Sequence, residues 1–442
     1  MRFRSFKVNS FHMKRIAIVG LLSISVSCMV EGPEKGKDPI MVSSPTPTEQ
    51  ITRVNLNETE VGYVKAGNEM AFRFLDKMYE GKDIVLSPLS LQYALAMAAN
   101  GAKGETLQEI IGFLGYGSEG IDVLNAYCKK LLEQLPAVDL DVTLKLTDAI
   151  LANDKFPLLP AFQEKVEASY YSAVENIDFS NPEMVATRIN DWAARSTDGF
   201  IDKVLDIEDL SPQAVAYLMN ALYFKARWAG TEFDPMFLDD ATIDDSFILS
   251  DGSTRTVSYM RNMRYHRYAE MNGYKVLALP YAGSKFFMYI LLPDDNDLDG
   301  MIEKLRKTSW GTVLSGFKRD AEVYVRLPKF DIENKYNLSN ALQSLGVKKA
   351  FVSGEAEFGA MFQSKGDDYR YWIEKVIQKA RISIDEWGTE AAAVTIVEMG
   401  SASEPDSEPK KVYFFADHPF VFLIGEAASG TILFEGAFTG KK

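Results

Sequence analysis

Cysteine and histidine are scarce in this chain. Its 442 residues include two cysteines, Cys28 and Cys128, and three histidines. This count excludes a histidine-rich zinc site and leaves at most one disulfide, and we expect no cofactor. A Ser-His-Asp triad has only His266 and His418 to draw on after the first thirty residues. Neither a Gly-x-Ser-x-Gly nor a His-Glu-x-x-His sequence is present, so the sequence gives a hydrolase little support.

Long apolar runs are also missing. The longest one, residues 16–26, is too short to span a bilayer. It follows five basic residues and has the form of a secretory signal. The sequence Ser25-Val26-Ser27-Cys28 resembles a bacterial lipobox, in which Cys28 would carry the lipid and become the mature N-terminus. The alternatives are a simple signal peptide or a cysteine without function in a discarded leader.

The distribution of basic, apolar and proline residues divides the chain into three parts. Residues 1–27 are predicted to be a lipoprotein-type signal peptide, with Met1 and Met13 both open as the start. Residues 28–61 contain several prolines and no apolar periodicity, which predicts a flexible tether. Residues 62–442 are predicted to form one domain. We therefore expect an exported protein that is lipid-anchored to the bacterial envelope, at the cell surface or in the periplasm.

Acidic residues outnumber basic ones, 62 to 48, for a net charge of −14. Removal of the basic leader would make the chain more acidic. Binding to nucleic acid needs a basic face, so no nucleic-acid partner is expected. Cys128 lies among apolar residues and is predicted to be a small core residue, not a reactive thiol.

Apolar periodicity changes along the domain. Early stretches, such as those around Phe72 and Tyr93, repeat every three or four residues and predict amphipathic helices. Later stretches alternate or are continuously apolar between turn residues, which predicts strands at 216–224, 276–280, 286–293, 323–327, 380–384, 420–425 and 431–438. Because helices precede most of the strands, the sequence predicts an α+β fold.

Residues 385–400 have a distinctive pattern. They directly follow a predicted strand, and alternate residues divide into two faces. The face that runs from Thr389 to Met399 is small or apolar throughout, whereas the other carries Glu390 and Glu398. A strand with one buryable face, joined to the polar loop 401–411, fits this pattern. Taken alone, the segment would also fit a surface helix or an ordinary loop.

Seven short motifs support a more specific interpretation. They are Ser87-Pro88-Leu89-Ser90, Gly101-Ala102-Lys103-Gly104-Glu105-Thr106, Asn220-Ala221-Leu222-Tyr223-Phe224-Lys225-Ala226-Arg227-Trp228, Leu292-Pro293-Asp294-Asp295, Leu327-Pro328-Lys329-Phe330, Asp385-Glu386-Trp387-Gly388-Thr389-Glu390-Ala391-Ala392-Ala393 and Phe415-Ala416-Asp417-His418-Pro419-Phe420-Val421-Phe422-Leu423-Ile424. In this order they resemble the serpin family over about 62–440. The resemblance implies helices packed around a large central mixed β-sheet, with smaller sheets and an exposed reactive-centre loop.

The resemblance also implies inhibition of a serine protease, with a cysteine protease as the alternative target. The protease cuts the loop and is held as an acyl-enzyme, while the freed hinge inserts into the central sheet; serpin insertion is itself a standard example of strand addition. About fifteen inserted residues at roughly 3.3 Å each would move the protease about 50 Å. Distortion of its oxyanion hole would then slow deacylation, since the loss of one donor costs about 10²–10³ in rate.

The implied hinge begins at Glu386 and includes Gly388, Thr389, Glu390, Ala391, Ala392 and Ala393. Thr389 would enter the sheet first, and a charge at that place would carry a large desolvation cost. Because Thr389 is uncharged, we favour an inhibitory serpin over a non-inhibitory one.

Family spacing places the cleaved bond between Ala402 and Ser403. Ala402 would suit a small apolar pocket, which indicates an elastase-like or subtilisin-like protease. Met399 and Glu404 remain alternative positions. Lys410 lies too far along the chain to favour a trypsin-like target.

Two further groups follow from the resemblance. Lys329, Glu386 and Trp228 match the breach, where the hinge enters; the alternatives are two solvated charges and an ordinary core tryptophan. The shutter, beneath the central strands, matches four residues, namely Ser87, Ser90, Asn220 and Gln378. Gln378 stands where the family usually has histidine, and Trp387 where it usually has glutamate. We expect a monomer. The alternative to protease inhibition is that the protein is a surface lipoprotein that only binds a partner.

Overall fold

A computed structural model of the chain describes residues 46–116, 119–231, 233–363, 371–389 and 410–441. The predicted signal peptide, Cys28 and most of the predicted tether lie outside these residues. Within them, helices α1 to α9 span Glu58–Met78, Pro88–Gly101, Gly104–Leu114, Ile121–Gln134, Pro160–Tyr170, Pro182–Ser196, Leu298–Leu305, Trp310–Ser315 and Ser339–Ser344. None of these helices is long and apolar enough to cross a bilayer.

The strands form three sheets. Strands β1 to β16 span Ile84–Leu86, Thr143–Asn153, Ala173–Ile177, Ala216–Arg227, Ile243–Ile248, Thr254–Arg264, Arg267–Met271, Tyr274–Pro280, Phe286–Pro293, Ala321–Pro328, Phe330–Asn337, Lys375–Ile384, Gly388–Thr389, Lys410–Phe415, Phe420–Glu426 and Ile432–Phe438. The central sheet has the order β11-β12-β13-β4-β2-β3 and is mixed, since β12 and β4 run parallel while β4 and β2 run antiparallel. The other two are β1-β16-β15-β9-β8-β7 and β14-β10-β6-β5. The predicted α+β fold is confirmed.

Local chemistry explains where the main helices begin. Asn57 caps α1 through a capping box with Glu60. Ser87 caps α2 by accepting a hydrogen bond from the Ser90 N–H, and Pro88 occupies the first turn. Strands β9, β15 and β16 are buried along their whole length, and such strands are read from sequence as continuous apolar runs.

The central sheet is covered on both faces. On one face, Val185, Ile189 and Trp192 of α6 pack against Tyr217 and Met219 of β4. The opposite face contributes to the main core together with α2, which is buried on nearly every side. Cys128 is also buried in that core, and burial raises the pKa of its thiol. A strand added to the middle of this sheet would therefore be buried on both faces.

The folded part of the chain begins before residue 62. The Ile51 N–H donates to Ala137 O at 2.9 Å, and the Gln50 side chain donates to Val138 O at 3.2 Å. Val54 is buried, and α1 begins at Glu58. Residues 50–61, which the sequence analysis assigns to the tether, thus pack against the domain.

Strand β2 is not among the strands predicted from the sequence. Its first half alternates, with Leu144 and Leu146 buried between partly exposed neighbours. From Asp148 to Asn153 every residue is buried, so the alternation that would indicate a strand ends half-way. This strand lies beside β4 and contributes to the site described next.

Candidate functional site

Strands β12 and β4 are paired over only part of their length. Lys375 to Gln378 pair in parallel with Tyr217 to Asn220. At the other end, Thr389 of β13 lies between the two strands and pairs with Ile384 and Ala226. Between these levels, no backbone pairing joins residues 379–383 to residues 221–225 in the described part of the chain. We call the gap between these two stretches the sheet opening.

A tight turn directs the chain into the sheet opening. Asp385 Oδ1 accepts hydrogen bonds from the N–H groups of Trp387 and Gly388, at 2.8 and 3.2 Å. Gly388 has a φ of 147°, and a Cβ atom there would collide with Ala226 O. Only glycine fits a backbone that turns this way at such close approach. The next residue, Thr389, is therefore placed between the strands.

Thr389 is buried at the upper end of the sheet opening, with only 2% of its surface exposed. Its Oγ1 lies 2.5 Å from the Tyr281 hydroxyl. Burial keeps the pKa of Tyr281 raised, so the phenol remains protonated and able to donate. Tyr281 was not predicted as a site residue, because nothing in the sequence around it distinguishes it from other tyrosines that follow a strand.

Trp228 connects β4 to the turn. Its indole Nε1–H donates to Asp385 O at 2.8 Å, and its backbone N–H donates to Trp387 O at 3.1 Å. The indole stacks on Tyr281 with ring centroids 4.7 Å apart and an interplanar angle of 5°. Trp228 is thus buried and also in contact with the hinge turn, whereas Trp387 is 48% exposed.

Lys329 and Glu386 form an ion pair above the sheet opening. The Lys329 Nζ lies 2.7 Å from Glu386 Oε2, and the Thr242 hydroxyl donates to Oε1 at 2.5 Å. The Glu386 side chain is only 6% exposed. Burial acts to raise the pKa of Glu386, but the hydrogen bonds from Lys329 and Thr242 outweigh it and lower the pKa below 4.5. The carboxylate is therefore charged at neutral pH, and the two residues are not independent solvated charges.

Gln378 joins β12 to the start of α2. Its Nε2 donates to Ser87 O at 2.8 Å, and its Oε1 accepts from the Ser87 N–H at 3.1 Å. The Ser87 hydroxyl donates to Leu433 O at 3.0 Å. The Ser90 N–H donates a hydrogen bond to the Ser87 hydroxyl oxygen. An amide can both donate and accept, so the glutamine holds the serine in two directions.

Asn220 does not join this hydrogen-bond cluster. It is fully buried and lies beside Gln378 in the register of β4 and β12, but its side-chain N and O atoms have no hydrogen-bond partner among the described residues. On its other side it faces Asp148 of β2. Asp148 is buried as well, and burial raises its pKa well above 3.8. A carboxylate in an otherwise apolar inward row is the sequence signal that would have identified Asp148.

Comparison with known proteins assigns the family. The family model described as Serpin (serine protease inhibitor) matches residues 65–440. This chain belongs to the serpin family. It is 31% identical to Iripin-2 of Ixodes ricinus, over 86% of this chain and 94% of that protein. It is also 31% identical to the leukocyte elastase inhibitor of Equus caballus, over 83% of this chain and 96% of that protein.

Solved serpin structures agree with the fold. The thermophilic serpin tengpin, in its native state, superposes with a TM-score of 0.76 and 27% identity, over 91% of this chain and 99% of tengpin. The predicted serpin family is confirmed. Serpins are mostly inhibitors of proteases and not enzymes.

The structure brings together most of the predicted serpin residues that it describes. Glu386, Gly388 and Thr389 lie at the sheet opening with Lys329 and Trp228, and Ser87, Ser90 and Gln378 lie below it. The remaining hinge and reactive-bond residues lie outside the described residues; they are Glu390, Ala391, Ala392, Ala393, Met399, Ala402, Ser403 and Glu404. No group of side chains suited to hold a metal ion occurs among the residues that are described.

Proposed function

We propose that this serpin inhibits serine proteases as a suicide substrate, by acyl-enzyme trapping and insertion of its cleaved loop between β4 and β12. The observation that carries this proposal is the sheet opening, with Thr389 already at its upper end. Because β13 runs antiparallel to both neighbours, a strand that continued from Thr389 after cleavage would enter the sheet opening in the direction of β13.

The sheet opening supplies a driving force for insertion. In the described part of the chain, no backbone pairing between β12 and β4 is present at the level of the opening, and both strands carry inward-facing apolar residues such as Leu222 and Ile382. A new strand would add hydrogen bonds to both edges and bury its small, apolar face, which begins at Thr389. The native fold would then be less stable than the inserted one and would persist for kinetic reasons.

Full insertion must also open the paired part of the sheet. The four residues of each strand that pair at 375–378 and 217–220 would separate. Gln378 would keep its hydrogen bonds to Ser87 only if β12 and α2 moved together. The shutter thus contributes to the barrier that holds the native state.

The target that we propose is an elastase-like or subtilisin-like protease, with cleavage between Ala402 and Ser403. The small side chain of Ala402 suits a small apolar pocket. The similarity to a leukocyte elastase inhibitor supports the same class. A cysteine protease, or cleavage at Met399 or Glu404, is the alternative within this proposal.

The proposed location follows from the N-terminal sequence alone. Lipidation at Cys28 would anchor a monomeric inhibitor to the bacterial envelope through residues 29–49. Labelling with a radioactive fatty acid should mark the wild-type protein and not a Cys28→Ser variant, and equal labelling would contradict the anchor.

Incubation with elastase, subtilisin, trypsin and a papain-like protease tests the inhibitory mechanism. We expect an SDS-resistant covalent complex with elastase or subtilisin, and mass spectrometry should place the new C-terminus at Ala402. Cleavage without any complex would instead support a non-inhibitory serpin. Absence of cleavage by all four proteases would favour a surface lipoprotein that only binds a partner.

A further inference from the structure

A cavity of about 440 Å³ lies where the start of β6 meets the turn between β10 and β11. This volume is within the range of small-molecule sites. The described residues that line the cavity do not belong to β4, β12 or β13, the strands at the sheet opening. Five charged residues line it, namely Asp83, Asp244, Arg255, Lys329 and Asp331. We call it the polar cavity.

Two of the five charges have partners that do not line the cavity. Lys329 pairs with Glu386 at 2.7 Å, and Asp331 pairs with Arg381 at 2.8 Å. These ion pairs neutralise both charges within the protein. Lys329 and Asp331 therefore contribute to the shape of the polar cavity and little to its net charge.

The carboxylates of Asp83 and Asp244 keep their negative charge. Asp83 Oδ1 accepts hydrogen bonds from the Thr439 N–H and hydroxyl at 2.7 and 2.9 Å. Asp244 Oδ1 accepts from the Ser258 hydroxyl at 2.5 Å. These donors carry no formal charge, and neither carboxylate forms an ion pair with a described residue. Two negative charges are therefore available to a cationic ligand.

Arg255 supplies one positive charge to the same cavity. Its Nη1–H donates to Gly440 O, a carbonyl without formal charge. No carboxylate among the described residues forms an ion pair with this guanidinium. The planar guanidinium suits a carboxylate, which it can bind with two parallel hydrogen bonds.

Apolar side chains complete the polar cavity. Val257, Phe330 and Phe438 line it and are buried. A matching ligand would carry two cationic groups, one carboxylate and an apolar chain between them. Free arginine and lysine have this composition, since each has an α-ammonium, an α-carboxylate and a cationic side chain on a methylene stem that can pack on apolar surface.

We propose that the polar cavity binds a free amino acid with a cationic side chain, arginine or lysine. Its carboxylate binds Arg255, its two cationic groups bind Asp83 and Asp244, and its methylene stem lies on the apolar residues of the cavity. The site is independent of protease inhibition. Because Lys329 lines the cavity and also holds Glu386, the bound amino acid lies next to the ion pair at the hinge.

Isothermal titration calorimetry on the uncleaved protein, without protease, tests the chemistry of the ligand. Arginine and lysine should bind in the micromolar to millimolar range, as expected for so small a ligand. Three analogues of arginine each lack one charge: citrulline the side-chain cation, agmatine the carboxylate and N-acetylarginine the α-ammonium. Each analogue should bind about tenfold more weakly than arginine. Equal binding of any analogue, or no binding of arginine and lysine, would overturn the proposal.

Two variants test the location of the site. Asp244→Asn and Arg255→Gln remove a charge but keep an amide that can accept from the Ser258 hydroxyl or donate to Gly440 O. Each should weaken arginine binding about tenfold.

The variants should also differ from each other. Arg255→Gln should leave the binding of agmatine unchanged, because agmatine has no carboxylate for Arg255 to bind. Asp240→Asn is the matched control, since Asp240 is exposed in the turn before β5 and does not line the cavity. Circular dichroism checks that all three variants are folded. Wild-type affinity in both cavity variants, or an equal loss in the control, would overturn the site.

Discussion

Glu386 holds a negative charge at a place where burial disfavours it. The charged carboxylate is stabilised by Lys329, which is partly exposed, and by the Thr242 hydroxyl. Breaking a buried pair by removing one partner costs more than the pair contributes, because the remaining charge stays buried. The ion pair that fixes the start of the hinge therefore also offsets the desolvation cost of the buried Glu386 carboxylate.

Lys329→Met should therefore lower the free energy of unfolding by about 1–3 kcal/mol at pH 7, between the values for exposed and buried pairs. Because the pKa of Glu386 is lowered in the folded protein, its contribution is present above pH 4.5 and is lost as the pH falls through the folded value. Urea unfolding at pH 7 and at pH 3 measures both effects. Lys65→Met is the control, since Lys65 and Glu69 form an exposed pair. An equal loss at both pH values would contradict the role of Glu386.

Asp148 presents the opposite case, because burial raises its pKa and no cation among the described residues compensates for this burial. The titratable groups that face it are Tyr93 of α2, Cys128 of α4 and Tyr170 of α5, all of them buried.

Asp148→Asn should stabilise the protein at pH 8 and have little effect at pH 4. A carboxyl with a raised folded pKa contributes most when protonated, and this contribution is lost as the pH rises through the folded value. Thermal unfolding across this pH range tests the prediction, with the exposed Asp191→Asn as control. A stability difference that does not change with pH would show that Asp148 acts through packing alone.

At the scale of whole elements, the hinge turn and the shutter control one strand from opposite ends. The turn at 385–388 places Thr389 at the upper end of the sheet opening. Gln378 and Ser87 hold the lower end. In the proposed mechanism, the entering strand would pass the hinge turn and displace the shutter.

Under the proposed mechanism, Thr389→Arg should make the protein an ordinary substrate of the protease that it would otherwise trap. The guanidinium would have to occupy the pocket that Tyr281 and the flanking strands close around Thr389, with a large desolvation cost. Gel electrophoresis should show more cleaved protein and at least tenfold less covalent complex. Thr312→Arg on α8 is an exposed control. Undiminished complex formation by Thr389→Arg would refute the insertion mechanism.

The sequence predicted these elements unevenly. Strands β9 and β15 were predictable because their apolar runs are uninterrupted, whereas only the alternating half of β12, residues 380–384, was predicted. The pair of Lys329 and Glu386 came from the resemblance to serpins, since the two residues are far apart in sequence. Tyr281 was missed because its role depends on a contact 108 residues away. Asn220 was expected in the shutter cluster, but its hydrogen bonding depends on side-chain orientation, which no motif specifies.

At the scale of the whole molecule, the proposed function requires a native state that is not the most stable one. The sheet opening between β12 and β4, in the middle of a sheet covered on both faces, is the structural basis for this expectation.

Cleavage of the loop by a catalytic amount of protease should raise the unfolding temperature by about 10 °C or more, since a whole added strand contributes several kcal/mol. Circular dichroism before and after cleavage measures the shift. Thr389→Arg, cleaved in the same way, should show a much smaller rise. An unchanged unfolding temperature in the cleaved wild type would contradict insertion and favour a binding protein.

Position 388 accommodates only glycine. Any side chain there would meet the carbonyl of Ala226, so a single methyl group would exclude the chain from the sheet opening. A serpin with this turn in which the loop had to insert faster or slower would therefore have to change at neighbouring positions, such as 387 or 389, and keep the glycine.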